Sequence, residues 1–180
     1  MRPEDFEHVV AAAAEATGQD DFVVIGSQAI HGAAERPPAS LLASLEVDIY
    51  PRDAPEDADV IDGALGDGSP FHAAFGYYAH GVGPETAKAP RGWQGRLVRR
   101  AIPRRLSSTR TPVAWCLEAH DLVLSKCARG EQRDWDYARD ALEAALVEAR
   151  TLLSRMQALP VEPAVRDHVE TVLRAIIDPP

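Results

Sequence analysis

The chain has 180 residues, 46% of them hydrophobic and 26% charged, and a net charge of −9. That length suits one domain, or one domain with a helical extension, and the composition supports a packed globule and excludes a disordered chain. The acidic balance argues against indiscriminate nucleic-acid binding, two cysteines are too few for a disulfide framework, and no apolar run reaches the roughly 20 residues of a membrane helix.

From the N-terminus, "PEDFEHVVAAAAEATG" predicts a helix. Pro3, Glu4 and Asp5 suit its first turn, Phe6, Val9, Val10 and Ala13 form an apolar stripe, and Gly18 suits the stop. A short apolar strand, Phe22 to Ile25, follows. Gly26 permits a sharp turn, and Ser27 suits the N-cap of a second helix. After a Pro37–Pro38 loop, Leu45 to Tyr50 predicts a strand ended by Pro51, and "PEDADVIDGALGDG" a capped helix with Val60, Ile61, Ala64 and Leu65 on one side. "FHAAFGYYAHGV", "GRLVRRAIP" and "PVAWC" read as strands, with "VGPETAKAPRGWQ" as a loop. The rest is helical: "LEAHDLVLSKCARG" stopped near Gly130, one long helix from Arg133 to Leu159 ended by Pro160, and a last helix in "EPAVRDHVETVLRAII". The expected organisation is α+β, with an α/β core over 1–116 and a helical C-terminal region, 117–180, packed on it. With no signal-peptide pattern and no membrane segment, a cytoplasmic location is expected, with Cys116 and Cys127 as reduced core thiols.

Charge is uneven along the chain. Arg91 to Arg110 holds seven arginines and no acid. Such a run is either a solvated, edge-blunting strand and loop or a surface for phosphate or nucleic acid.

Within the strand "SLEVDIYPRD", Glu46 and Asp48 stand two apart. Their Cβ atoms therefore leave one face, roughly 6.5–7 Å from each other. Such a pair either faces water or converges on a divalent cation that relieves its repulsion. Twenty residues earlier, Gly26–Ser27 ends a strand, a turn that can present backbone N–H groups and a hydroxyl to a phosphate. Lys126 is one of only two lysines and lies in the largely apolar "LVLSKCA". It is either a phosphate-pairing point charge or a solvated helix lysine. Asp134 either orients such a cation or caps a helix. The histidines and cysteines show no zinc spacing.

A Gly-Ser turn followed by an acid pair on a neighbouring strand resembles the nucleotidyltransferase superfamily. The blocks "GSQAIHG", "SLEVDIYPRD", "FGYYAHGVGPETA", "GW..RLV" and "HDLVLSKCARGEQRDWDY" resemble a bacterial nucleotidyltransferase-like family related to abortive-infection (AbiE-type) toxin transferases. The likeness runs from about Phe22 to Tyr137. It implies a nucleotidyltransferase-like mixed sheet flanked by helices, and transfer of NMP from an NTP to an RNA (tRNA) or protein acceptor. It also implies Mg²⁺ (or Mn²⁺) on Glu46 and Asp48, and a nucleotide held by Gly26, Ser27, Ser44, Lys126 and Asp134. Catalysis would then rest on Glu46, Asp48 and Lys126 by two-metal, in-line displacement. Arg91–Arg110 would meet the acceptor or the triphosphate, and a cognate antitoxin would be the partner protein.

The departures are specific. The first acid is Glu rather than Asp, Arg133 stands where relatives carry lysine, and Glu131 where they carry arginine. No acid lies between Asp67 and Glu85, so the strand position of a third carboxylate shows Tyr78 or His80. His80 is the candidate general base. The alternative is a catalytically impaired relative that binds nucleotide or a protein partner.

Overall fold

The computed structural model describes residues 1–104 and 110–178. The chain is α+β, built on a five-stranded mixed sheet. Helix α1 (Pro3–Thr17) buries Phe6, Val9 and Val10, and Gly18 closes it in the left-handed conformation. Strand β1 (Asp21–Ile25) follows and sits at the centre of the sheet, with Phe22 to Ile25 buried. Strand β2 (Glu46–Pro51) pairs antiparallel with it, β3 (Tyr78–Gly81) pairs parallel with β2, and β5 (Val113–Cys116) pairs parallel with β1. Strand β4 (Val98–Ala101) closes the far edge antiparallel to β5.

Between β2 and β3 lie α2 (Ala58–Leu65) and α3 (Pro70–Phe75). After β5 come α4 (Ala119–Arg129), α5 (Gln132–Glu143), α6 (Ala149–Met156) and α7 (Pro163–Ile177). Buried residues of 1–116 and of 117–180, such as Phe22 and Leu41 on one side and Leu122, Leu124 and Leu152 on the other, belong to one core cluster. Cys116 and Cys127 are free, buried thiols within it. Among the described residues, no helix is long and apolar enough to cross a membrane.

Several expectations need correction. The segment after Gly26 is a 3₁₀ helix, Ser27–Gly32, and Ser27 caps nothing: Gly26 holds the cap position without a side-chain bond. On α2, Val60 and Ala64 are exposed, and Ala58, Ile61 and Leu65 form the buried side. Leu45 precedes β2 and is exposed. "PFHAAF" is helix rather than strand because the Ser69 hydroxyl accepts the His72 N–H at 3.1 Å and Pro70 fits the first helical position.

The long C-terminal helix is broken into α5 and α6 at Ala145, which takes φ 54°. There the Leu146 N–H bonds the Ala141 carbonyl and the Ala145 N–H the Leu142 carbonyl, each at 3.0 Å. That is a Schellman stop with alanine in the position glycine usually fills. The break lets α6 bury Leu152 and Met156.

Candidate functional site

The core-facing side of β2 carries Val47 and Ile49, both fully buried, so the two-residue alternation sends Glu46 and Asp48 to the other face. Parallel pairing with β3 sets Tyr78 beside Glu46 and His80 beside Asp48. Both neighbours are used. The Tyr78 hydroxyl donates to Glu46 Oε2 at 3.0 Å, and His80 Nδ1 lies 3.0 Å from Asp48 Oδ1. An ionised carboxylate only accepts, so with Asp48 ionised Nδ1 is the donor and Nε2 is the ring nitrogen outside that bond. Burial, followed by the Glu46 bond, pushes the Tyr78 phenol up to about 12.

Asp48 also meets the end of β1. Ile25 is its register partner, and Gly26 follows with φ 66° and ψ −169°, a region essentially reserved for glycine. A Cβ on Gly26 would stand 1.9 Å from Asp48 Oδ2, so the carboxylate packs directly on the glycine backbone. Burial raises the Asp48 pKa, the negative charge of Glu46 raises it further, and His80 and Lys126 only partly offset this.

Helix α4 brings in the cation. Lys126 Nζ donates to Ser27 Oγ at 2.9 Å, stands 3.7 Å from Asp134 Oδ1, and lies 4.6 Å above the Tyr137 ring. Burial lowers its pKa, and Asp134 opposes that shift. Tyr137 donates its hydroxyl to the Ser27 carbonyl at 3.1 Å, so both atoms of the turn that face α4 and α5 are fixed. Asp134 is fully buried and holds Arg129 bidentately, at 2.8 and 2.5 Å. Burial alone would raise the Asp134 carboxyl, but the Arg129 bonds and charge hold it below the usual carboxylate range. Asp134 is not the cap of α5. Glu131 is, and Asp134 completes the capping box by accepting the Glu131 N–H.

Gly26, Ser27, Ser44, Glu46, Asp48, His80 and Lys126 all line one cleft of about 880 Å³, and Asp134 lies buried behind its cationic wall. Ser44 exchanges hydrogen bonds with the backbone of Glu46, which fixes the start of β2. Sequence reading missed the wall that α5 supplies: Arg133, Asp136, Tyr137 and Asp140 also line the cleft. Their spacing of three, four and seven residues puts them on one helical face, a signal present in the sequence. Arg129 belongs to the same wall.

The arginine run lies elsewhere. None of its described members lines this cleft, and Arg96, Arg100 and Arg110 are ion-paired with Asp121, Glu7 and Asp20. Arg99 and Arg100 border a second, mixed-charge cavity beside Glu4 and Glu7. Arg105 lies outside the described residues. Among the described residues, no three His, Cys, Asp or Glu side chains form a ready-made metal cage. Scans against protein-family models, curated proteins and solved structures find no match to this chain.

Proposed function

We propose that the chain is a Mg²⁺-dependent nucleotidyltransferase that moves an NMP group from an NTP to a hydroxyl of an RNA (tRNA) or protein acceptor, working as the toxin half of a toxin–antitoxin or phage-defence pair. One observation carries the reading. Two segments remote from the Gly26–Ser27 turn in sequence converge on it: Asp48 packs on Gly26, and Lys126 bonds Ser27.

The donor set fits a divalent cation. Glu46 and Asp48 are hard oxygen donors on one face, and the mutual repulsion that helps raise Asp48 is what a bound cation relieves. Mn²⁺ suits the same oxygens. When bound, Mg²⁺ would supply charge neutralisation for the triphosphate. The chain's own residues supply the rest. The Gly26–Ser27 turn and Lys126 hold phosphate oxygens, with Lys126 kept in place by Asp134 and Tyr137. The acceptor oxygen attacks the α-phosphorus, the bond to pyrophosphate breaks, and the acceptor's proton passes to His80 Nε2. Arg91 and Arg99 are exposed and available to an acceptor.

The test is incubation with labelled NTPs, Mg²⁺ and bulk tRNA. Asp48→Ala should lower transfer by at least about 100-fold. Equal labelling by wild type and variant would refute the assignment.

The β3 register favours a second reading. The two positions beside the acids hold Tyr78 and His80, so no third carboxylate stands there. A nucleotide-binding or protein-interaction module without turnover accommodates that. It predicts calorimetric binding of NTP with no pyrophosphate released, and sustained turnover would eliminate it.

A further inference from the structure

We propose that Lys88 is a second phosphate-binding residue of the cleft, gripping the polyphosphate of an NTP from the loop that follows β3. The inference rests on the nucleotide-site reading above and adds a residue that neither the acid pair nor the Gly-Ser turn implies.

The first support is charge accounting. Lys88, Lys126, Arg129 and Arg133 are the cations among the cleft-lining residues. Three of them are already engaged: Lys126 with Ser27 and Asp134, Arg129 with Asp134, and Arg133 with Glu131 at 2.7 Å. Lys88 is exposed and makes no ion pair or hydrogen bond among the described residues. A cation without a carboxylate on the wall of a cleft keeps its full charge for an incoming anion.

The second support is anchoring. Thr86, Ala87 and Lys88 form a stretch of the cleft wall. On one side Val82 is buried and its N–H bonds the Ile49 carbonyl at 3.2 Å. On the other, Ala89 and Trp93 are buried, and the Arg91 N–H bonds the Ala158 carbonyl at 3.0 Å. Arg96 completes the anchor. Its Nη2 donates to the Pro90 and Arg91 carbonyls, while its Nε donates at 2.7 Å to Asp121, which is fully buried. The backbone beside Lys88 is therefore held at both ends while its side chain stays free. That arrangement limits the ordering cost of closing an ammonium group onto a ligand. It also gives Arg96 a task unrelated to nucleic acid, that of stapling the loop that presents Lys88.

The experiment is calorimetric titration of the full chain with each ribonucleoside triphosphate in Mg²⁺, and with the matching nucleosides. Lys88→Ala should weaken triphosphate binding about tenfold and reduce its salt dependence, Lys88→Arg should restore most of it, and nucleoside binding should not change. Melting temperature should stay at the wild-type value, since Lys88 holds nothing in the fold. Wild-type triphosphate affinity in Lys88→Ala overturns the inference and leaves the site reading standing. So does an equal loss for nucleoside and triphosphate. No triphosphate binding by the wild type overturns both.

Discussion

At the residue scale, Gly26 in the cleft and the buried His31 behind the same turn are each tightly constrained. Gly26 combines a backbone conformation closed to other residues with a carboxylate oxygen where its Cβ would stand. Gly26→Ala should cost at least about 2 kcal/mol and abolish NTP binding together, because relief requires Asp48 to move off the turn. Thermal melts and a triphosphate titration check it, and a variant that melts and binds like wild type would show that the turn is not built this way. His31 is buried against Phe6, with Nε2 3.2 Å from Gln28 Oε1, and Gln28 in turn donates to the Ser44 carbonyl at 3.0 Å. Burial, then the Arg100 charge, depresses its pKa from 6.5 to about 4. Because the unfolded chain binds the proton first, this contribution is complete above pH 6.5 and is lost as pH falls toward 4. The loss is bounded at about 3 kcal/mol. Urea unfolding at pH 7, 5.5 and 4.5 should show the decline in wild type and a shallower one in His31→Gln, and parallel declines would assign it to other groups.

At the element scale, the break between α5 and α6 lets α6 bury Leu152 and Met156. Ala145 bears the backbone strain of that turn, so Ala145→Gly should stabilise the chain by about 0.5–1 kcal/mol, the left-handed penalty exceeding the added freedom of the unfolded glycine. A lowered denaturation midpoint would contradict this. The same break shows why the sequence misleads there. Trp135, Ala138, Leu142, Leu146, Leu153 and Met156 keep helical spacing through the turn, and neither glycine nor proline marks it. Where local chemistry is explicit, sequence and structure agree: Pro3 and Gly18 bound α1, Gly130 ends α4, and alternation places Val47 and Ile49 opposite Glu46 and Asp48. The short α3 was hidden in an apolar, aromatic run, and only its Ser69–Pro70 start betrayed it.

At the scale of the whole molecule, the cleft is an assembly of remote segments, and this limited how much of it sequence could reveal. The acid pair and the Gly-Ser turn each carry a local pattern. That Lys126 reaches Ser27, that Asp134 is a buried anchor rather than a cap, and that arginines of a basic run are structural ion-pair partners all depend on tertiary placement. Asp121 is the clearest case. Fully buried at the start of α4, it meets Arg96 at 2.7 Å and Arg155 at 3.2 Å, and Arg155 also bonds Glu118. One carboxylate thus ties α4, α6 and the segment leading to β4, and through Arg96 it holds the loop that carries Lys88. Removing its charge leaves two guanidinium groups short of a partner, so Asp121→Asn should cost about 3 kcal/mol. At a temperature where this variant stays folded, its triphosphate affinity should fall toward that of Lys88→Ala. The double variant should then bind no more weakly than Lys88→Ala, because both substitutions act through one side chain. Fully additive losses in that cycle would separate the staple from Lys88 and leave Asp121 with a stabilising role alone.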